Sequence, residues 1–206
     1  MLEINEYDLS NPEEEKRCVD YMKERHNSIQ EQVQHLSQTI NDFRDFYKPN
    51  QHPVQESLDN SIHKAIRILE PIIRSHTINL QTTLDTKEIQ NIFVSRIVQT
   101  LVNIIKNAVD AFDEIHQEQP YIHISSYQTS TDNIITIRDN AGGISPENLE
   151  HIFDPYFSTK DDKNGTGLGL YMSKIIIEKH HQGSIIASSK NSETTFTITI
   201  PRNINL

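Results

Sequence analysis

The sequence predicts an α+β chain in which a long heptad-repeat helix precedes a mixed α/β domain. Three observations predict it. Apolar residues recur at alternating three- and four-residue steps from Val19 to Tyr47. Beyond them, alternating strand-like runs are interleaved with strongly apolar helical runs. The composition, 35% hydrophobic with no Trp in 206 residues, suits one modest core carrying a solvated helical appendage.

The first helix starts at Ser10 or Asn11, either of which can cap it. Pro12 suits its first turn, and Glu13, Glu14 and Glu15 favour the positive end of its dipole. Its seam runs Val19, Met22, Ile29, Val33, Leu36, Ile40, Phe43 and Tyr47, with His26 in the one slot that is not apolar, and Lys48-Pro49 ends it. One helix cannot bury such a seam alone. A strict seven-residue repeat calls for partner helices, a homodimer through residues 13–48; packing on the chain's own globular domain is the alternative. The short polar stretch from Pro49 to Pro53 divides a helical region, 1–50, from a second domain, 51–206.

In that domain a helix is predicted over 56–74, with Leu58, Ile62, Ala65, Ile66 and Leu69 on one face and Pro71 as a kink near its end. A strand follows at 78–84, then an apolar helix over 94–113. Tyr121 to Tyr127 and Asn133 to Arg138 alternate as strands. A helix covers 168–181, and the strands Ser184 to Ser188 and Thr194 to Ile200 close the chain.

Composition excludes several functions. A formal charge of −10 argues against non-specific nucleic-acid binding. Cys18 is the single cysteine, so no internal disulfide is possible and a reducing cytosol is expected. No apolar run approaches a membrane span, and Glu3, Glu6 and Asp8 occupy the place of a signal peptide. Any membrane anchor would belong to a segment outside this sequence.

Four motifs fall in fixed order. The first is Asn103-Ile104-Ile105-Lys106-Asn107-Ala108-Val109-Asp110-Ala111. Asn103 and Asn107, four apart, share a helix face. Amide oxygens there suit Mg²⁺ with triphosphate oxygens; bonding of both amides to a neighbouring loop is the alternative. The second is Asp139-Asn140-Ala141-Gly142-Gly143. Asp139 ends a strand and can accept a hydrogen bond from an adenine amino group, beside glycines that let backbone approach a flat base; a plain turn is the alternative. The third is Phe153-Asp154-Pro155-Tyr156-Phe157-Ser158-Thr159-Lys160. The fourth is Gly165-Thr166-Gly167-Leu168-Gly169-Leu170, a glycine-rich opening of a helix that offers N–H groups to phosphates. Asp161, Asp162, Lys163 and Asn164 read as a mobile lid, where Lys160 and Lys163 can neutralise phosphate; a solvated loop is the alternative for both lysines.

Together these stretches resemble the asparagine box, first glycine box, phenylalanine box and second glycine box of two-component sensor histidine kinases, over residues 53–203. The resemblance implies a two-layer α/β sandwich with a mixed sheet, of the Bergerat type, that binds ATP and Mg²⁺. It implies Asn107 as the Mg²⁺ ligand, with Asn103, Asn107 and Lys160 taking part in catalysis. It implies a nucleotide pocket formed by Asn107, Asp110 and Ala111, by Asp139, Gly143 and Ile144, and by Phe157. Gly165, Thr166, Gly167, Leu168 and Gly169 complete it. Ala141 departs from the motif, which often has Gly there. Related gyrase, chaperone and mismatch-repair ATPases resemble one another in placing a water-activating carboxylate four residues before the Mg-binding Asn. Here that residue is Asn103, and an amide cannot take a proton from water.

His35 to Pro49 is similar to the second helix of the kinase dimerisation hairpin, and the chain lacks the acceptor histidine of the first. His26 and His35 have no neighbouring carboxylate to orient an imidazole for attack. The expectation is a cytoplasmic kinase core that passes the γ-phosphoryl to a histidine on that missing helix and then to a response regulator. A related-fold ATPase and an ATP-responsive, non-catalytic interaction module are the alternatives. His180-His181 closes a helix, where imidazolium favours the C-terminal dipole. The other histidines show no metal-ligand spacing.

Overall fold

The computed structural model describes residues 11–46, 52–160 and 166–202. They fall in two compact units, Met1–Lys48 with Thr159–Thr166 and Pro49–Ser158 with Gly167–Leu206.

In the first unit, α1 spans Pro12–Phe46 with three glutamates in its first turn. Asn11 accepts the Glu13 N–H at 3.1 Å through its side chain, the capping bond expected of it. The described seam positions are open: Val19, Met22, Ile29 and Val33 are 43–59% exposed. His26 is exposed too. Ser10 and Tyr47, and the side chains of His35, Leu36, Ile40 and Phe43, lie outside what the structure describes.

The second unit follows the order β1 (Val54–Glu56), α2 (Leu58–Ser75), β2 (Asn79–Leu84), β3 (Gln90–Ile92), α3 (Val94–Phe112), β4 (Tyr121–Gln128) and β5 (Asp132–Asp139). It continues through α4 (Pro146–Leu149), α5 (Gly169–Ile175), a π-helical turn (Ile176–His180), β6 (Ser184–Lys190) and β7 (Glu193–Pro201). Five strands form one sheet in the order β2-β4-β5-β7-β6, while β1 and β3 pair separately. Only β2 and β4 run parallel in the larger sheet, and the segment joining them contains α3, the crossover that a parallel pair requires. Antiparallel registers such as Ile124 with Ile137 and Ile137 with Phe196 keep apolar residues on one face. That face carries Ile122, Ile124, Ile135, Ile137, Phe196, Ile198 and Ile200, all buried. The buried stripes of α2 (Leu58, Ile62, Ala65, Leu69, Ile73) and α3 (Ile97, Leu101, Ile104, Ile105, Ala108) complete the core.

α2 runs through Pro71 to Ser75, close to the predicted end at 74. Two local features depart from expectation. The β1–β3 pair was not foreseen, because three-residue strands leave too little alternation to read. The last helix widens into a π turn at Ile176, where the carbonyl of Ile177 accepts from the N–H groups of both His181 and Gly183.

A buried carboxylate ties α2 to the sheet. Asp59 accepts the Thr86 N–H at 3.0 Å and the Ser126 hydroxyl at 2.7 Å, and it also takes the Thr86 hydroxyl. Asp59, Thr86 and Ser126 are all buried. Removing the carboxylate strands two hydroxyls and an amide without water to replace it. Asp59→Ala is therefore expected to lower unfolding free energy by roughly 3 kcal/mol, read from the urea midpoint at constant m-value.

Candidate nucleotide-binding site

The site is built outward from α3. Seven residues of this helix are buried, and their stripe fixes how it is rotated against its neighbours. Asn103 and Asn107 lie beside that stripe, each half-buried. The Asn103 amide donates to the carbonyl of Gly169 at 3.3 Å, a carbonyl that also takes the Ser173 hydroxyl at 2.9 Å. The Asn107 side chain makes no hydrogen bond to a described residue, so its amide is available to a ligand. Asp110 is engaged with Lys106 at 3.3 Å, and Ala111 is half-buried beside it.

The second glycine motif enters α5 through Leu168, which is buried. Gly167 has φ +64°, and a Cβ there would stand 2.4 Å from the Tyr156 backbone. The same contact carries a hydrogen bond, Tyr156 N–H to Gly167 carbonyl at 3.0 Å. Thus Gly167 has a steric reason of its own: it lets the phenylalanine-box loop close on the start of α5. At Gly169 a Cβ would meet only the Asn103 amide at 3.8 Å, ordinary contact. Phe157, on the same loop, is half-buried with its ring 5.9 Å from that of His151.

Asp139 ends β5 and is buried. Among described residues its carboxylate accepts one hydrogen bond, from the Ala141 N–H at 3.0 Å. Burial pushes its pKa up to about 6 against that bond, and the nearby Glu193 carboxylate adds to the rise. Asn140 is a structural clasp: it accepts the Tyr121 N–H and donates to the Gln119 carbonyl, both at 2.9 Å. Ile144 donates its N–H to the Ser189 hydroxyl at 2.8 Å. A Cβ on Gly143 would meet that same hydroxyl at 2.7 Å. The second motif is accordingly a built turn that leaves one carboxylate under-satisfied.

Asn103, Asn107, Asp110 and Ala111 on α3, Asp139, Gly143 and Ile144 at the end of β5 and after it, Phe157, and Gly167 to Gly169 all lie in one compact unit. Lys160 and Thr166 fall in the unit that contains α1. Gly165 and the expected lid, 161–164, lie outside the described residues.

The reading of His180-His181 is corrected. His181 is fully buried, and burial drives its pKa down to about 4, so the ring is neutral rather than an imidazolium serving the helix dipole. Its Nδ1 bonds the Ile176 carbonyl at 3.1 Å, and its Nε2 accepts the Phe93 N–H at 3.3 Å.

Residues 94–204 match the model of the histidine kinase-, DNA gyrase B- and HSP90-like ATPase family, more than half of the chain. The chain belongs to this family. Within it the similarity is to histidine kinases. Sensor histidine kinase ZraS of Salmonella typhimurium is 33% identical over 170 residues, 81% of this chain and 35% of that protein. The chain thus spans about a third of the length of this curated relative. The catalytic domain of histidine kinase ThkA superimposes with a TM-score of 0.64 at 28% identity, over 73% of this chain and 97% of that one. ThkA in complex with response regulator protein TrrA shares the fold, with a TM-score of 0.70 at 24% identity over 88% of this chain and 52% of that one. The second unit is a histidine kinase ATP-binding domain. No described helix is long and apolar enough to cross a membrane.

The two described glycines of the last motif are expected to behave differently. Gly167→Ala forces the Tyr156 backbone away and should cost roughly 2 kcal/mol or more of stability. Gly169→Ala, at the first residue of a helix with room for a methyl group, should stay within roughly 0.5 kcal/mol of the parent. Urea denaturation of the two variants side by side checks the difference.

Proposed function

We propose that this chain is the nucleotide-binding part of a two-component sensor histidine kinase, which binds Mg-ATP and delivers the γ-phosphoryl to a histidine rather than to water. The observation that carries the reading is the amide pair Asn103 and Asn107 on one face of α3. Asn103 offers no carboxylate to deprotonate water, and its N–H is already committed to Gly169. Asn107 is a half-buried amide without a described protein partner, and its oxygen suits Mg²⁺. When bound, Mg²⁺ supplies charge neutralisation for the phosphates. Asp139, ionised, accepts the adenine amino group. Gly167, Leu168 and Gly169 present backbone to the phosphates; Lys160, Gly165 and Thr166 are assigned to the same nucleotide by their places in the motifs alone. Asp110, Ala111, Gly143, Ile144 and Phe157 line the base and ribose side. The chain's own contribution is positioning, in keeping with phosphoryl transfer.

The exposure of the described seam positions Val19, Met22, Ile29 and Val33 supports a homodimer through residues 13–48. We place the acceptor histidine on a partner helix of the same bundle and a response regulator downstream of it, as ThkA is found with TrrA.

Incubation with γ-labelled ATP and Mg²⁺ tests the reading. The chain should bind nucleotide, hydrolyse it negligibly, remain unlabelled, and transfer acid-labile label to an acceptor helix supplied in trans. Asn107→Ala should weaken Mg-dependent binding by roughly tenfold or more. Acid-labile label on the chain itself would assign the acceptor to one of its own histidines. Turnover abolished by Asn107→Ala would make it an ATPase, and binding without any transfer would make it an interaction module.

Asp139 gives a pH signature. Its folded pKa, about 6, lies above the ordinary aspartate value of 3.8, so its protonated form favours folding below that window and the contribution is lost as pH rises through about 6. A donor from adenine favours the ionised form instead. Affinity for ADP should fall as pH drops below about 6, approaching tenfold per unit. Asp139→Asn should bind weakly and without this slope, as calorimetry from pH 5 to 8 would report.

A further inference from the structure

α3 starts without a cap of its own. Its N-cap residue is Phe93, which has no side-chain oxygen to offer the exposed N–H groups. An acceptor arrives from 88 residues later in the chain, where His181 Nε2 takes the Phe93 N–H. Since Nε2 accepts, the ring proton sits on Nδ1, which donates to the Ile176 carbonyl. The π turn and the turn after it hold the ring there. Gly183 donates to the Ile177 carbonyl at 3.0 Å, and a Cβ on Gly183 would stand 2.1 Å from the Thr199 carbonyl oxygen. The Phe93 ring meets the imidazole edge to face at 5.7 Å.

The helix that begins at Gly169 and ends in the π turn is thus attached to α3 at two points. Its start receives Asn103, and its end supplies the acceptor for Phe93. These attachments are about 15 Å apart along α3. We propose that the neutral imidazole of His181 is a positioning residue that seats α3 on the α5 helix and holds Asn103 at Gly169, so that uptake of a proton by this ring disassembles the nucleotide site. It rests on the reading of Asn103 and Asn107 as the phosphate and magnesium residues.

Protonation removes the acceptor and sets an N–H against the Phe93 N–H. The new charge is fully buried and faces the positive end of α3. The charged groups acting on it are Arg96 from α3 and His180 from its own turn, and both oppose a second cation. The ordinary histidine value is 6.5 and the folded value about 4, so the unfolded chain binds the extra proton between them. Stability from this ring is therefore complete above the unfolded value and is lost as pH falls through the window.

The test uses the whole chain without nucleotide, followed by ¹H–¹⁵N NMR. His181 should show an unprotonated Nε2 at pH 7, and the Asn103 side-chain amide signals should move in step with its protonation as pH falls from 6.5 to 4.5. In His181→Gln, whose amide both accepts and donates but does not titrate, those signals should stay in place over the same range. At pH 7.5, Mg-ADP affinity should fall roughly tenfold in His181→Phe and stay within about threefold of the parent in His181→Gln. Asn103 signals that ignore the His181 titration, or that still move in His181→Gln, overturn the proposal, as does a folded His181→Phe that binds like the parent. Should His181→Phe fail to fold, the other two titrations decide. Because the NMR is read without nucleotide, its outcome is independent of whether phosphoryl is transferred to histidine.

Discussion

Burial of one stripe of α3 fixes the direction of every polar side chain that the helix carries. Ile97, Leu101, Ile104, Ile105 and Ala108 must face the core, and a helix offers a single rotation that satisfies all five. Asn103 and Asn107 then have no freedom beyond their own rotamers. α5 is held to the result by the Asn103–Gly169 contact, and the phenylalanine-box loop is held to α5 by the Gly167–Tyr156 contact. A polar face assembled this way gets its accuracy from hydrophobic packing, which is non-directional, made specific by a few hydrogen bonds to backbone.

Three buried ionisable groups show how the fold treats charge. Asp59 is surrounded by donors from Thr86 and Ser126 and serves as a clasp. His181 is kept neutral and uses both ring nitrogens. Asp139 receives one backbone donor and is left with unused acceptor capacity. The first two satisfy themselves within the protein. The third is where a ligand donor would add the most, because an under-satisfied buried carboxylate gains most from one more hydrogen bond. Degree of satisfaction is thus what sets the proposed binding group, Asp139, apart from the structural ones.

Much of this was legible in the sequence. Long elements with strong periodicity, α1, α3, β4, β5 and β7, were placed closely because their apolar spacing is regular. The order of the four motifs led to the family. Short elements such as β1 and β3 were hidden, since three residues carry no period. Asp59 gave no local sign, because its partners lie 27 and 67 residues away. His181 was misread for the same reason: proximity to a helix end suggested a dipole role, whereas burial and a donor from Phe93 decide its charge. Gly167 was linked to the nucleotide pocket and its phosphates, but the backbone of Tyr156 already requires it.

We propose that the amides of α3 and the carboxylate ending β5 form one Mg-ATP site. A crystal structure of the chain with Mg²⁺ and a non-hydrolysable ATP analogue tests it most directly. The Asn107 amide oxygen is expected on the metal at about 2.1 Å, and the Asp139 carboxylate within hydrogen-bond reach of the adenine amino group. A nucleotide bound away from α3, or a metal coordinated without Asn107, would contradict it.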